Sequence, residues 1–201
     1  MSEMNLFGSP SNLNFLLVRA GSTDLDDQGR ITGSLDMPLS DSGEKEARET
    51  AVQLDPFEID AIFSASCLAA QQTAQQLSRN GEIRVRVEES LVNLNHGLWH
   101  GKCLDELKVT QPRLYRQWQE NPESICPPGG ETIEDVRSRV KSVLKRICRK
   151  YKVGTVAIVA PDPLFSIIRS EIDDSDIRDL LLNKSEVDRW EEIELDNRSA
   201  V

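Results

Sequence analysis

The chain has 201 residues, with 34 acidic and 24 basic side chains and a formal net charge of −10 at pH 7. This length suits one domain with a sizeable core. Such an acidic protein repels phosphate backbones and anionic lipids, which excludes nucleic acid and membrane surfaces as general partners. No apolar run approaches the roughly 20 residues of a membrane-spanning helix, and the N-terminus lacks a signal-peptide core. We therefore expect a cytoplasmic protein.

Short aliphatic segments alternate with helical patterns along the chain. The predicted strands are 13–18, 59–63, 83–87 and 156–159, and the predicted helices are 40–54 and 68–77. A further helix is expected to begin near Thr132, because Asp135 three residues later is typical of a capping box. An apolar stripe at spacings of three and four follows this start. The alternation predicts an α/β protein, a three-layer α/β/α sandwich with a mostly parallel central sheet.

Two segments depart from this alternation. Residues 104–120 show the pattern of one or two helices, followed by a loop rich in proline and glycine at 121–130. The chain after Asp173 is charged, and its segment 190–196 is either an edge strand or part of a loose tail. The four cysteines are scattered without a Cys-x-x-Cys pair, which predicts reduced thiols.

Several motifs occur in a fixed order. They are Leu17-Val18-Arg19-Ala20-Gly21-Ser22-Thr23, then Gly29-Arg30, Gly33, Asp36 and Pro38-Leu39-Ser40, then Ile62-Phe63-Ser64 with Gln72-Thr73-Ala74, then Gly97-Leu98-Trp99-His100-Gly101, and Pro128-Gly129-Gly130-Glu131-Thr132. Together they resemble the histidine phosphatase (phosphoglycerate mutase-like) superfamily over about residues 13–170. The resemblance implies a single domain over residues 1–201, with a lid at 102–130 above the active-site mouth and an additional tail at 173–201.

The resemblance also implies a reaction, in which a histidine attacks phosphorus, cations hold the phosphate oxygens and a carboxylic acid protonates the leaving group. The family's first histidine position is occupied here by Ala20, and its second by Pro161. The second arginine position falls on Ala69, and the acid position falls on Asn93. A shift of one residue around Ala69 restores no cation.

These replacements remove the family's chemistry at each position. The methyl group of Ala20 has no lone pair, and Pro161 donates no hydrogen bond from its backbone or side chain. Asn93 can donate a hydrogen bond but cannot give up a proton at neutral pH. Of the family's phosphate-holding groups only Arg19 remains, with Thr23 as a hydroxyl donor.

We predict that the pocket or anion-binding residues are Arg19, Thr23, Asn93 and His96. Arg19 either still binds an anion or pairs with a nearby carboxylate such as Asp26 or Asp162. Loss of three cationic groups makes phosphate binding weak, since charge-assisted hydrogen bonds contribute roughly 1.5–3 kcal/mol each.

Two histidines are present in the whole chain, His96 and His100. His96 is the candidate surrogate for the missing nucleophile or base. His96, His100 and Cys103 are also spaced closely enough to suggest a metal site, but Gly97 and Gly101 argue against the helix that usually presents such ligands. We expect no metal and no cofactor.

The sequence therefore predicts a histidine phosphatase-like protein with a degraded active site, a pseudoenzyme that binds a small molecule or a protein partner. Catalytic residues are then absent from the family positions. The alternative is an active phosphomonoester phosphatase or mutase with a rebuilt site that uses His96. Fold alone does not decide between them. A homo-oligomer is compatible with both interpretations.

Overall fold

A computed structural model describes residues 12–177 and 188–195 of the chain. Five strands in these residues form one sheet in the order β3-β2-β4-β1-β5. They are β1 (Asn12–Arg19), β2 (Ala61–Ala65), β3 (Val85–Glu88), β4 (Val153–Ala160) and β5 (Trp190–Glu194). The first four strands run parallel, and β5 pairs antiparallel with β1 at one edge.

Seven α-helices accompany the sheet within the described residues. They are α1 (Asp24–Asp27), α2 (Asp41–Leu54), α3 (Leu68–Leu77), α4 (Leu104–Thr110), α5 (Pro112–Glu120), α6 (Ile133–Lys150) and α7 (Leu164–Asp173). Helix α2 packs against α3, and α6 packs against α7. These two helix pairs cover the sheet, which confirms the predicted three-layer α/β fold.

The central strands are buried along most of their length. Residues 15–18 of β1 and 156–160 of β4 have no solvent exposure, as expected for parallel strands with helices on both faces. The strands predicted at 59–63 and 83–87 were placed two residues too early. Asp60 instead accepts a hydrogen bond from the Thr155 N–H (2.8 Å), and the Ile83 N–H closes the turn after α3 by donating to Ser78 O (3.0 Å).

Helix α6 begins as the sequence predicts. The Thr132 side chain accepts from the Asp135 N–H, and the Asp135 carboxylate accepts from the Thr132 N–H, which completes the capping box. The predicted apolar stripe of this helix is buried: Ile133, Val136, Val140, Val143, Leu144 and Ile147. The pattern at 104–120 forms two helices rather than one, because Pro112 has no N–H to continue a helix and is favoured at the start of the next.

The chain between Gly97 and Ile125 forms a small unit beside the main core, which we call the roof. Trp99, Leu107 and Ile125 are its buried residues, and Leu114 and Trp118 pack against them. The described part of the predicted tail includes β5, an edge strand, while residues 178–187 and 196–201 lie outside the described residues. None of the helices described is both long and apolar enough to cross a membrane.

Candidate functional site

A cavity of about 720 Å³ lies at the carboxyl ends of the central strands, the usual ligand position in open parallel sheets. Arg19 and Ala160 end β1 and β4 as register partners, and the Ala20 N–H donates to Ala160 O (2.9 Å). The loops that follow these two strands, residues 20–23 and 161–163, therefore lie side by side. Both loops line the cavity, and we call them the floor.

The backbone N–H groups of residues 20–23 on the floor are already used within the protein. Those of residues 21, 22 and 23 donate in turn to Thr73 Oγ1, Glu46 Oε2 and Asp26 Oδ2, at 3.0, 2.9 and 2.9 Å. Two of these three acceptors are carboxylates. Consecutive backbone donors can make an anion site, but here the protein's own side chains occupy them.

Arg19 is held by an acidic and an aromatic neighbour. Its Nε lies 2.9 Å from Asp162 Oδ2, and the two side chains are 11% and 19% exposed. Its guanidinium carbon lies 4.5 Å from the centre of the Phe165 ring, within cation–π range. Of the two carboxylates considered from the sequence, Asp162 is thus the one that pairs with Arg19. Asp26 instead accepts from the Thr23 hydroxyl (2.7 Å).

The cavity is also lined by two arginines that were not predicted from the sequence as site residues, Arg30 and Arg189. Arg30 Nη1 donates to Gly101 O (2.6 Å) and lies 4.0 Å from Glu106 Oε1. Arg189 forms an ion pair with Glu46. Arg30 stands in the Gly29-Arg30 motif and could have been found there. Arg189 precedes β5 in a charged segment without a motif, and only the pairing of β5 with β1 brings it to the floor.

The family profile described as histidine phosphatase superfamily (branch 1) matches residues 15–198. The chain belongs to this superfamily. The match covers nearly the whole chain, and it agrees with the sheet topology and with the position of the cavity at the strand ends.

Relatives in the superfamily include known phosphatases. Phosphoserine phosphatase 1 of Hydrogenobacter thermophilus is 29% identical over 148 residues, which cover 74% of this chain and 70% of that protein. A bifunctional protein of Mycobacterium tuberculosis is 33% identical over 168 residues, 83% of this chain and 45% of that protein. This chain therefore spans less than half the length of that second relative.

Solved structures show the same fold. Bacillus stearothermophilus YhfR aligns with a TM-score of 0.76 and 25% identity, over 84% of this chain and 83% of that chain. An Escherichia coli protein described as a putative alpha-ribazole-5'-P phosphatase aligns with a TM-score of 0.78 over 92% of this chain and 91% of that chain. Because its identity is only 19%, the second likeness concerns the fold alone.

Three of the four superfamily positions selected from the sequence meet at the cavity. Ala20, Ala69 and Pro161 all line it, although they follow three different strands. Ala69 lies in the first turn of α3, and the adjacent order of β2, β4 and β1 brings the three positions together. Ala20 and Ala69 are only 6% and 2% exposed.

The expectation that Asn93 lines the pocket needs correction. Asn93 is 3% exposed and is not among the residues that line the cavity. Its Nδ2 donates to Gly33 O (2.9 Å) and to Asp162 O (2.8 Å), while its Oδ1 accepts from the Leu94 and Leu164 N–H groups at 2.9 and 3.1 Å. The amide joins three loops behind the floor, because both of its ends are used by backbone groups.

The two histidines have different surroundings. His96 is buried (7% exposed) and lines the cavity beside Thr23 and the roof. His100 does not line the cavity; its Nε2 accepts from the Ser34 and His96 N–H groups at 3.3 and 3.2 Å. Burial lowers the pKa of His100, which favours the neutral ring that can accept these bonds. His96 is therefore the histidine placed to touch a ligand.

Cys67 also lines the cavity and was not selected from the sequence as a site residue. Burial raises the pKa of its thiol, so the nucleophilic thiolate is disfavoured at neutral pH. Across residues 12–177 and 188–195, we find no group of three or more histidine, cysteine, aspartate or glutamate side chains that could hold a metal ion.

Proposed function

We propose that this protein is a non-catalytic member of the histidine phosphatase superfamily that acts by binding. Its ligand is a small molecule in the cavity or a protein partner at the surface. The observation that carries the proposal is the position of Ala20, whose methyl group lies on the floor where the superfamily places its histidine nucleophile. A methyl group cannot form a phosphoenzyme.

The neighbouring positions support the same proposal. Ala69 and Pro161 offer the cavity neither a cation nor a side-chain donor. Each lost charge-assisted hydrogen bond would remove roughly 1.5–3 kcal/mol of phosphate binding. With the floor N–H groups bonded to Thr73, Glu46 and Asp26, a transferring phosphoryl group would lack the preorganised donors that stabilise its charge.

The second candidate function is phosphomonoester hydrolysis with His96 as the nucleophile. Its support is that His96 is buried against the cavity while the superfamily position is an alanine. A displaced nucleophile also needs a matching oxyanion cradle and an in-line path to phosphorus. The carboxylates of Asp26 and Asp162 on the same cavity wall oppose such a cradle.

Phosphatase assays separate the two functions. We expect purified protein to turn over p-nitrophenyl phosphate, phosphoserine and 3-phosphoglycerate no faster than buffer. His96→Ala and His100→Ala form a matched pair of variants, because only His96 lines the cavity. Turnover that is abolished by His96→Ala and retained by His100→Ala would overturn the non-catalytic proposal in favour of the second candidate.

The proposal extends to the organisation of the molecule. The chain acts as one domain over residues 1–201, in which the segment 102–130 serves as a lid over the cavity. Support for the lid comes from Leu104, Leu107 and Trp118, which line the cavity from the roof. We further propose a cytoplasmic location, and self-association into a homo-oligomer is compatible with the binding role.

A further inference from the structure

The cavity has an apolar upper wall. Ile31, Leu94, Trp99, Leu104, Leu107 and Trp118 all contribute to its lining. Its volume of about 720 Å³ lies in the range of roughly 300–1,000 Å³ that is typical of sites for small organic molecules. A ligand that fills this space would bury most of its surface against aliphatic and indole side chains, which favours an apolar body.

Two of the three arginines that line the described part of the cavity, Arg19 and Arg189, form close ion pairs within the protein. Arg19 pairs with Asp162, Arg30 lies near Glu106 and Arg189 pairs with Glu46. Among the described residues, Asp26 and Asp162 are the two carboxylates of the cavity lining, whereas Glu46 and Glu106 contact the arginines from outside the lining. An anionic ligand would therefore meet arginines whose charge is already partly compensated.

Asp162 is the carboxylate of the floor that pairs with Arg19. Its carboxylate is 19% exposed and contacts Arg19, the superfamily motif's remaining arginine. The Asp162 backbone carbonyl is fixed by Asn93 Nδ2 (2.8 Å), which holds the loop in place. A carboxylate in this position competes directly with any ligand anion for the Arg19 guanidinium.

We infer that the cavity takes an uncharged, largely apolar small molecule, and that Asp162 is the residue that excludes anions from it. This inference rests on the proposed binding function and specifies its ligand class. The apolar body packs against the roof. The ion pairs of Arg19 with Asp162 and of Arg189 with Glu46 engage both guanidinium groups within the protein, which disfavours binding of a phosphate, sulfate or carboxylate group.

Two fluorescent probes with the same ring system test the inference on the full-length protein. N-phenyl-1-naphthylamine is neutral, and 8-anilinonaphthalene-1-sulfonate carries one added sulfonate. We expect the neutral probe to bind with at least about tenfold higher affinity, measured by fluorescence titration. Equal affinity, or a preference for the sulfonate, would overturn the inference without the use of any variant.

Variants of α4 locate the bound probe. Leu104→Glu places a charge on the apolar cavity wall, and we expect it to weaken binding of the neutral probe about tenfold. Val109→Glu is the matched control, since Val109 belongs to the same helix, is 81% exposed and does not line the cavity. Equal effects of the two variants would place the probe elsewhere and contradict the inference.

Removal of the Asp162 charge tests the exclusion of anions. Asp162→Asn should raise the affinity for the sulfonate probe about tenfold relative to the affinity for the neutral probe. The control Glu49→Gln removes one negative charge from the exposed face of α2 and should change neither affinity. An Asp162→Asn effect no larger than that of Glu49→Gln would show that Asp162 does not exclude anions.

The outcomes separate this inference from the function on which it rests. Absence of neutral-probe binding in a protein without phosphatase turnover overturns the ligand class alone. Turnover that depends on His96 overturns the non-catalytic function, whatever the probes do. Selective binding of the neutral probe, lost in Leu104→Glu and without turnover, supports both proposals.

Discussion

The floor of the cavity and the turn at residues 95–101 follow the superfamily pattern to different degrees. The turn keeps its glycines: Gly97 has φ +52°, and a Cβ on it would lie 2.2 Å from Pro128 O. On the floor, Ala20 and Pro161 stand where the sequence resemblance predicts the two histidines of the superfamily. The close backbone contacts at Gly97 require a glycine there, whatever the function of the protein. The side chains of the floor face the cavity, so backbone packing does not fix their identity in the same way.

The largest expected effect breaks the turn. Gly97→Ala introduces a Cβ against the backbone of Pro128 at a positive φ, so we expect it to lower the free energy of unfolding by about 3 kcal/mol or more. Urea unfolding followed by circular dichroism measures the loss. Gly129→Ala is the matched control, because Gly129 also has a positive φ (+72°) but no heavy atom within 4 Å of an added Cβ. It should cost only about 1–2 kcal/mol.

If the two glycine variants lose the same free energy of unfolding, the close contact with Pro128 does not contribute to stability. The need for glycine in the turn would then come from its positive φ alone.

Asn93 is expected to give an intermediate effect, because its side chain is hydrogen-bonded to the backbone of three loops. Asn93→Asp removes two amide donors and points a buried carboxylate at the carbonyls of Gly33 and Asp162. We expect a loss of about 2–4 kcal/mol in the free energy of unfolding. Asn95→Asp is the control: its Oδ1 accepts from the Gly97 N–H (2.9 Å), a role that a carboxylate can keep, so the loss should stay below about 1 kcal/mol.

An Asn93→Asp protein as stable as Asn95→Asp would show that the amide does not hold the loops behind the floor. Asn93 would then be a position that tolerates substitution, as we expect of the floor residues.

The smallest effect is expected on the floor itself. Ala20→His adds an imidazole toward the cavity at a position that is only 6% exposed. The cavity can take up part of the added volume, so the free energy of unfolding should fall by less than about 2 kcal/mol. It should also restore no turnover of p-nitrophenyl phosphate, since Ala69 and Pro161 offer the cavity neither a cation nor a side-chain donor. A loss comparable with that of Gly97→Ala would mean that the floor is as tightly constrained as the turn.

The sequence predicted much of the architecture because the signals were local. The apolar run at 13–18 lies within β1, the helix at 68–77 has the bounds of α3, and Thr132 caps α6 as expected. The starts of β2 and β3 were missed by two residues. Asp60 forms hydrogen bonds with Thr155 through its backbone N–H and its carboxylate, and Ile83 closes the turn after α3.

The sequence motifs predicted part of the candidate site. The motifs predict Ala20, Ala69 and Pro161 at one site, and all three line the cavity because the strands that precede them are neighbours in the sheet. The sequence did not predict the roles of Arg189 and Glu46. Their ion pair joins the segment before β5 to α2 across the floor, and no local pattern in either segment predicts it.

By itself, the sequence determined the superfamily and the α/β alternation, since these depend on residue identity and short-range pattern. The loss of a histidine nucleophile at Ala20 stays a prediction of the same motifs. Only the tertiary structure decided that Arg19 pairs with Asp162 rather than Asp26, and that Asn93 faces the backbone instead of the cavity. Such choices depend on distances between loops from different strands, and those distances are set when the sheet and its helices pack together.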